Sequence, residues 1–392
     1  GTDNGSDVRD KFYFLVRVSY PFVIQKNFYK SYFIMSKVIE IDGSYLEGGG
    51  QILRNALSLS CILRRPIRII KIRANRPNPG LSNQHLFGLN LLQNITGARV
   101  QGNQMKSTAI EFHPGDIKSG HYKVDTLTAA SIALVLQAAL PVLVFGKNTS
   151  ELELIGGTNV GMAPQVDTMS EVLRPNLEMF GVSFDFDLLQ RGYYPRGGGR
   201  CKVVIPPVRN LKTVNLTCFG EVNEICGWCF VAGKLPMHIA TEMKKAAEVE
   251  LQNICRVQPV LEAYKESLEV TRDNGSGVIL KAVTSEGCTI GSSALGERRV
   301  DGHELGKKAG TELANYLREG VCVDCHVQDQ LIIFMALAHG TSRILTTELT
   351  QHTRTAMHVA ELMTGCKFYL ETNEKGQVIL SCNGIGYENK QM

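Results

Sequence analysis

The sequence predicts a mixed α/β fold built from a recurring unit. Short alternating segments typical of half-buried strands are followed by glycine-containing loops and apolar helix-like segments, and this succession recurs along the chain. The recurrence is visible in the pattern and not in residue identity. A hydrophobic content of 44% in 392 residues is typical of a globular protein large enough for two domains.

Changes in composition predict a leader, a large domain and an insertion. The first segment is aromatic and basic, and we expect it to lie outside the core fold, with Met35 as a candidate natural start. The pattern changes after Pro207 and resumes near Val327, which predicts a smaller α/β domain between these points. The predicted ranges are 1–36 for the leader, 37–210 and 320–385 for the large domain, 211–319 for the insertion and 386–392 for the tail.

Charge and cysteine usage narrow the function classes. The net charge is only +4, so contact with nucleic acid requires a local patch of arginine and lysine rather than an overall basic surface. The 11 cysteines are too dispersed for a secreted disulfide scaffold, and we expect reduced thiols in an intracellular protein. No stretch is long and uncharged enough to span a bilayer, so we expect no membrane partner.

The first unit combines a strand with a glycine loop. Residues 38–42 alternate, and the loop Glu47-Gly-Gly-Gly-Gln51 opens an amphipathic helix pattern. If the helix begins near Gly50, Gln51 and Arg54 lie close to one face and Glu47 lies just outside the N-terminus. This set suits a metal-bound phosphate, although neither a Walker nor a dinucleotide motif is present. The alternative is a glycine-rich turn with a solvated Glu47.

The next element is a strand over residues 67–73 that runs into a loop stiffened by proline and glycine. Arg73 and Arg76 lie on this loop, and Gln84 and His85 follow at a predicted helix start. Such a set is suited to holding the phosphorylated end of a polymer. An ordinary solvated basic loop is the alternative.

Later helices carry isolated polar residues in apolar surroundings. Gln137 lies within the apolar segment 132–140, so its amide must either cap backbone or read a ligand edge. Asp329 and Gln330 are predicted at the start of a buried helix. His352 is predicted on a short polar loop just before a helix, where an imidazole could meet a phosphate. We interpret His352 as a nucleophile, with a surface or cap histidine as the alternative.

Two Cys-x-x-Cys pairs, at Cys226 and Cys229 and at Cys322 and Cys325, are too far apart for a zinc ribbon. The first pair lies in an apolar, strand-like run, which favours core cysteines over zinc or redox use. A metal or redox protein is nevertheless kept as a hypothesis of a different class.

Taken in order, the motifs of this chain resemble those of the RNA 3′-terminal phosphate cyclases. The resemblance runs from about residue 38 to the C-terminus. Each motif is weak by itself, and the specificity comes from the ordered set. The motifs are Glu47-Gly-Gly-Gly-Gln51-Ile-Leu-Arg54, Ile72-Arg73-Ala-Asn-Arg76, Pro79-Gly80-Leu81, Gln84-His85, Gly156-Gly-Thr158, Ala163-Pro164, Gly192-Tyr-Tyr-Pro195, Gly197-Gly-Gly199, Asp329-Gln330-Leu331 and His352-Thr353.

The resemblance implies a large domain of three βαβαββ-type units with an inserted smaller domain. It also implies ATP-dependent conversion of an RNA 3′-phosphate to a 2′,3′-cyclic phosphodiester, with a divalent cation, Mg²⁺ or Mn²⁺. A histidine would take AMP from ATP and pass it to the RNA 3′-phosphate, and the neighbouring 2′-hydroxyl would displace AMP. Nuclear residence, with cytoplasmic residence as a further option, is expected from animal members. The oligomeric state stays open.

The resemblance also implies roles for individual residues. One departure is His326, which stands where the family usually has a tyrosine that stacks on the base. A non-catalytic cyclase-like ribosomal RNA processing factor, which lacks the nucleophilic histidine, is the alternative within the same fold. The implied sets are His352 as nucleophile, Gln137, Pro164, His326, Asp329, Gln330, Arg54 and Gln51 for ATP, Arg73, Arg76 and His85 for the substrate phosphate, and Glu47 for the metal.

Overall fold

The computed structural model describes residues 37–46, 48–252, 254–271 and 273–392. Strands and helices alternate through these residues, which confirms the predicted mixed α/β class. The predicted leader and the predicted metal residue Glu47 lie outside the described residues. Within the described part of the chain, no helix combines the length and apolar character that crossing a bilayer requires.

The first sheet has the strand order β1-β2-β4-β3. Strands β1 and β2 are parallel and the other neighbours are antiparallel. Its elements are β1 (Ile39–Asp42), α1 (Gly50–Leu63), β2 (Ile67–Ile70), α2 (Asn83–Thr96), β3 (Arg99–Gln101) and β4 (Ile110–His113).

The second sheet repeats this arrangement with the order β5-β6-β8-β7. Again the first pair is parallel and the others are antiparallel. Its elements are β5 (His121–Asp125), α3 (Ile132–Leu143), β6 (Ser150–Gly156), α4 (Val166–Thr168), a π-helical turn (Met169–Leu173), α5 (Arg174–Met179), β7 (Asp185–Gln190) and β8 (Gly199–Ile205).

A further sheet falls wholly inside the predicted insertion and has the order β11-β10-β12-β13. It follows the short strand β9 (Asn215–Leu216) in the chain. The domain boundaries proposed from composition stay a prediction. The elements of this sheet and its helices are β10 (Val222–Ala232), α6 (Met237–Leu251), β11 (Val260–Lys265), β12 (Gly275–Thr284), β13 (Thr289–Leu295) and α7 (Gly302–Glu319).

The last sheet contains β9, which pairs in parallel with the much later strand β14. The resulting order, β15-β16-β14-β9, has the same parallel pair and antiparallel hairpin as the first two sheets. A parallel pair needs a long crossover, and here the crossover includes the whole of β10 to α7. The elements are α8 (Gln328–Leu337), β14 (Thr341–Thr346), α9 (Gln351–Thr364), β15 (Phe368–Thr372) and β16 (Val378–Asn383).

Helices α3 and α8 are apolar on almost every face and are therefore buried on almost every face. Their few polar side chains are consequently informative, because a buried polar group needs a partner. In α3 the long polar side chain is Gln137, and in α8 the polar residues are the first three, from Gln328 to Gln330. These positions point to the site described below.

Cys226 and Cys229 both lie in β10, as the apolar pattern predicted. Residues three apart on a strand face opposite sides of the sheet, so the two thiols cannot bind one ion together. Cys229 is buried, and both are free thiols. The core interpretation therefore holds for this pair.

A buried ion pair joins the second sheet to the insertion sheet. Arg191 donates two hydrogen bonds of 2.8 Å to the carboxylate of Asp167, pairs with Glu266, and lies 4.3 Å from the Phe230 ring centroid. Burial opposes ionisation of Asp167, but the Arg191 charge and its hydrogen bonds outweigh burial and hold the pKa of this carboxyl below its usual value. The pair is therefore charged at neutral pH.

We expect Asp167→Ala to destabilise the fold by about 3 kcal/mol, because it leaves a buried guanidinium without its bidentate partner. The exposed partner of Arg209, Glu388, is the matched control, since its ion pair is also 2.8 Å long. Glu388→Ala should cost less than about 1 kcal/mol. Urea denaturation of the two variants tests this difference, and equal losses would show that burial of the Arg191 pair adds nothing.

Candidate active site

The site is assembled at the N-terminus of α1, which begins at Gly50 as predicted. Gln51 is buried, and its Nε2 donates a 2.7 Å hydrogen bond to Oδ2 of Asp329 in the first turn of α8. Arg54 donates a 2.6 Å hydrogen bond from its guanidinium to Oε1 of Gln51. One amide therefore connects a guanidinium on α1 to a carboxylate on α8, although the residues are far apart in sequence.

The half-buried carboxyl of Asp329 is poised to titrate close to neutral pH. Desolvation by the surrounding protein raises its pKa from 3.8 to about 6, although the positive charges of His352 and Arg54 oppose the shift. The same opposition shows that His352 and Arg54 both lie within electrostatic reach of this carboxyl. The structure thus brings three residues of the predicted site together.

His85 is buried against the α1 N-terminus. The Ser82 backbone N–H, 3.3 Å away, donates to His85 Nδ1 in a capping box, so the proton of the neutral ring resides on Nε2. That Nε2 is buried and has no hydrogen-bond partner among the described residues. Burial, with the charges of Arg54 and Arg73, lowers the pKa of His85 to about 3. His85 therefore offers a neutral N–H donor to an incoming acceptor.

Gly50 is required at this position because a Cβ there would collide with His85 Nε2 and would lie 2.9 Å from the Arg54 guanidinium. The absence of a side chain at Gly50 thus leaves room for the neighbouring groups. It lets a helix N-terminus, an imidazole and a guanidinium approach one another closely.

Arg73 and Arg76 extend the positive region. The strand β2 ends at Ile70, so the predicted strand over residues 67–73 is too long, and Arg73 lies in a turn with a left-handed φ of 53°. Its guanidinium donates a 3.0 Å hydrogen bond to the carbonyl of Gly80. Burial and the neighbouring charge of Arg76 lower the pKa of Arg73. The two arginines lie close enough to repel each other, an arrangement that favours binding of an anion.

His352 does not lie on a loop, contrary to the prediction, but is the second residue of α9. Thr350 caps the helix by accepting a 3.1 Å hydrogen bond from the Thr353 backbone N–H. The helix begins earlier than predicted because this cap replaces the expected polar loop. The His352 side chain is exposed at the positive end of the helix dipole.

Gln328 is a positioning residue that the sequence reasoning missed. Its buried Oε1 accepts hydrogen bonds from the Thr350 backbone N–H at 2.9 Å and from the Thr353 hydroxyl at 2.7 Å. Its Nε2 donates to Thr346 at the end of β14. A long polar residue directly before Asp329 in an apolar helix was the available signal. Gln328 anchors the start of α9 to α8, and thereby the backbone that carries His352.

A small, open cleft lies beside this junction. The predicted residues that line it are Gln51, Arg54, Gln137 and Gln330. Oε1 of Gln330 is buried without a hydrogen-bond partner among the described residues, whereas Nε2 of Gln330 donates to the His326 carbonyl. Pro164 lies in the turn before α4 and is not among the residues that line this cleft.

His326 lies in the segment before α8, and its side chain is largely exposed. Its Nε2 lies 2.8 Å from a carboxylate oxygen of Glu312 on α7. The imidazole is therefore engaged with the insertion-side helix α7, while the backbone carbonyl is held by Gln330.

Known proteins with similar sequences show the family of this chain. A family model described as RNA 3′-terminal phosphate cyclase matches residues 45–370. The chain belongs to the RNA 3′-terminal phosphate cyclase family. The match includes every candidate residue from Glu47 to His352, and the cyclase family membership predicted from the motifs is confirmed.

Curated relatives agree with the cyclase match. An RNA 3′-terminal phosphate cyclase of Drosophila melanogaster is 50% identical, with 90% of this chain and 98% of the relative covered. Proteins with the same description from Pyrobaculum aerophilum and Pyrococcus furiosus are 40% and 39% identical, with 89% and 87% of this chain and 99% and 98% of the relatives covered. Two solved structures, the enolpyruvyl transferase NikO of Streptomyces tendae and an EPSP synthase of Acinetobacter baumannii, are 14% and 10% identical. They cover 43% and 88% of this chain and 33% and 64% of their own, with TM-scores of 0.24 and 0.27, too low to carry an argument.

The pKa of His85 predicts a pH dependence of stability. Because the unfolded imidazole titrates near 6.5 and the folded one near 3, the unfolded state binds more protons between these values. Stability contributed by His85 is complete above pH 6.5 and is lost as the pH falls. Wild type should lose about 1.5 kcal/mol more than His85→Gln between pH 6.5 and pH 5.

Urea denaturation at several pH values measures this difference. Glutamine preserves the capping box, and the exposed His121→Gln is the control for loss of an imidazole elsewhere. Parallel profiles for wild type and His85→Gln would contradict a neutral, buried His85.

Proposed function

We propose that this chain is an ATP-dependent enzyme that converts RNA 3′-terminal phosphates to 2′,3′-cyclic phosphodiesters through a covalent histidine-AMP intermediate. The observation that carries the proposal is the junction of α1, α8 and α9. There, an exposed His352 at a helix N-terminus lies within reach of Asp329, and Asp329 is joined through Gln51 to Arg54.

In the first step, the neutral imidazole of His352 attacks the α-phosphorus of ATP. A nitrogen–phosphorus bond forms, the bond to the β-phosphate oxygen breaks, and pyrophosphate leaves. The positive end of the α9 dipole and the guanidinium of Arg54 stabilise the charge that develops on the phosphorus oxygens. Asp329 is suited to orient the imidazole and to balance the positive charge that the ring acquires.

In the second step, an oxygen of the RNA 3′-phosphate attacks the histidine-bound AMP, and the imidazole leaves. Arg73, Arg76 and the Nε2–H of His85 would bind the incoming phosphate. The partnerless donor on His85 and the mutual repulsion of the two arginines both support an anion at this place.

In the third step, the neighbouring 2′-hydroxyl attacks the activated phosphorus, loses its proton, and displaces AMP. Adenylation matters because phosphate oxygen is otherwise a poor leaving group, and the attack is intramolecular. The net reaction consumes ATP and releases AMP and pyrophosphate.

The nucleotide would occupy the cleft beside Gln137 and Gln330, with Pro164 and the segment that carries His326 toward the base, while the His326 imidazole faces Glu312. The buried, partnerless Oε1 of Gln330 supports a ligand that donates a hydrogen bond there. Glu47 is the proposed carboxylate for Mg²⁺ or Mn²⁺, which would neutralise the phosphate charges. Its place in the sequence, just before the α1 N-terminus, fits a hard cation with oxygen ligands.

We expect His352→Ala to abolish formation of an acid-labile protein–AMP adduct when the protein is incubated with α-labelled ATP and Mg²⁺ or Mn²⁺. The matched control is His358, which lies on the same helix and stacks on Tyr45 with ring centroids 3.9 Å apart. His358→Ala should still form the adduct. An adduct on His352→Ala would refute the assignment, and its absence from wild type would favour the non-catalytic processing factor.

We expect Arg73→Ala and Arg76→Ala to retain most self-adenylylation and to lose most transfer to RNA, because these side chains are proposed to hold the RNA phosphate. Single-turnover transfer from preformed protein–AMP to a 3′-phosphorylated oligonucleotide separates the two steps. Arg68→Ala is the control, since Arg68 is an exposed arginine on neighbouring β2. Equal loss of both steps would reject this division of labour.

A further inference from the structure

A second cluster of chemically reactive side chains lies beside α8, on the side of the insertion. Glu312 of α7 offers a carboxylate, Cys325 a thiol and His326 an imidazole, and the three donor atoms all lie within 4.8 Å of one another. Within the described ranges, this is the one group of three or more histidine, cysteine or acidic side chains that comes so close together.

We propose that Glu312, Cys325 and His326 form a binding site for a divalent cation of the Zn²⁺ class. Sulfur and imidazole ligands favour Zn²⁺ over Mg²⁺ and Ca²⁺, which prefer oxygen. Three protein ligands leave one position of a tetrahedron for water or another small ligand. The donor set is therefore that of an open zinc site rather than of a closed structural one.

The three donor atoms, all within 4.8 Å of one another, can reach the spacing that such an ion requires by side-chain movement. Tetrahedral Zn²⁺ with normal bond lengths separates its nitrogen, oxygen and sulfur ligands by about 3.3 to 3.6 Å. The His326 Nε2 and Glu312 carboxylate oxygen are 2.8 Å apart, so they need to separate by about half an ångström. The side chains of Glu312 and His326 are 29% and 60% exposed, which gives an ion access and gives the ligands room to adjust.

The backbone that carries two of the ligands is held rigidly. The buried carboxylate of Asp324 accepts 2.9 Å hydrogen bonds from the backbone N–H groups of His326, Val327 and Gly291. This fixes the turn between Cys325 and His326 against β13.

Tyr316 supplies a hydrogen-bonding group behind the ligands. Its hydroxyl donates to Glu312 Oε1 at 3.2 Å and lies 3.0 Å from Cys325 Sγ. Groups of this kind orient metal ligands and are a regular part of protein metal sites.

This site differs from the one predicted from the Cys-x-x-Cys motif. Cys322 is buried, and its free thiol is hydrogen-bonded to the free thiol of Cys288. Cys322 is therefore not the partner of Cys325. The site also differs from the proposed Mg²⁺ or Mn²⁺ position at Glu47, which requires oxygen ligands. The two positions can therefore be distinguished by the metal they select.

Titration of the full chain with Co²⁺, an optical substitute for Zn²⁺, tests the proposal. We expect one equivalent to give the strong visible bands of tetrahedral Co²⁺ with a sulfur-to-metal charge-transfer band, and one equivalent of Zn²⁺ to remove both. Cys325→Ser should abolish the charge-transfer band. Glu312→Gln should weaken Co²⁺ binding at least about tenfold while keeping that band.

Two matched controls locate the signal. Cys218→Ser removes an exposed free thiol elsewhere, and His113→Asn breaks an imidazole–carboxylate pair of 2.7 Å that is not part of a three-residue cluster. Both should leave the Co²⁺ spectrum unchanged. A charge-transfer band that survives Cys325→Ser, or a wild type that shows none at millimolar Co²⁺, would overturn the proposal.

Discussion

The hydrogen bond between Gln51 and Asp329 is the interaction on which the site depends. It joins the first turn of α1 to the first turn of α8, and Arg54 completes it from the same face of α1. A carboxylate in a desolvated position is unfavourable unless hydrogen bonds and positive charges compensate. The desolvated charge of Asp329 is compensated by Gln51 and by the positive charges of Arg54 and His352. The glycine loop, Arg54 and the exposed imidazole of His352 therefore lie close together.

Positive charge is concentrated at this place. Arg54 and Arg73 both act on His85 and keep its ring neutral, and Arg73 and Arg76 act on each other. Like charges that lie so close together favour binding of an anion. The close packing around Gly50 also favours anion binding, because it brings a helix N-terminus, a guanidinium and a buried N–H donor close together.

Rigid support comes from polar residues that do not face the cleft. Gln328 ties the cap of α9 to α8, and Asp324 holds the turn that precedes α8. Arg191, which is paired with Asp167 beside the second sheet, also contacts Glu266 and Phe230 of the insertion. Each of these groups is buried and hydrogen-bonded, so each specifies one arrangement of backbone rather than several.

The sequence by itself determined the α/β class, the start of α1 at Gly50, the start of α8 before Asp329 and, through an ordered set of motifs, the family. These properties follow from local patterns of apolar residues, glycines and caps, which report nearby backbone geometry. Tertiary structure decided that Gln51 meets Asp329, that His85 carries its proton on Nε2, that His352 belongs to a helix held by Gln328, and that Cys325 joins Glu312 rather than Cys322. Those facts depend on contacts between residues distant in sequence, and on burial that sets protonation, so no local pattern encodes them.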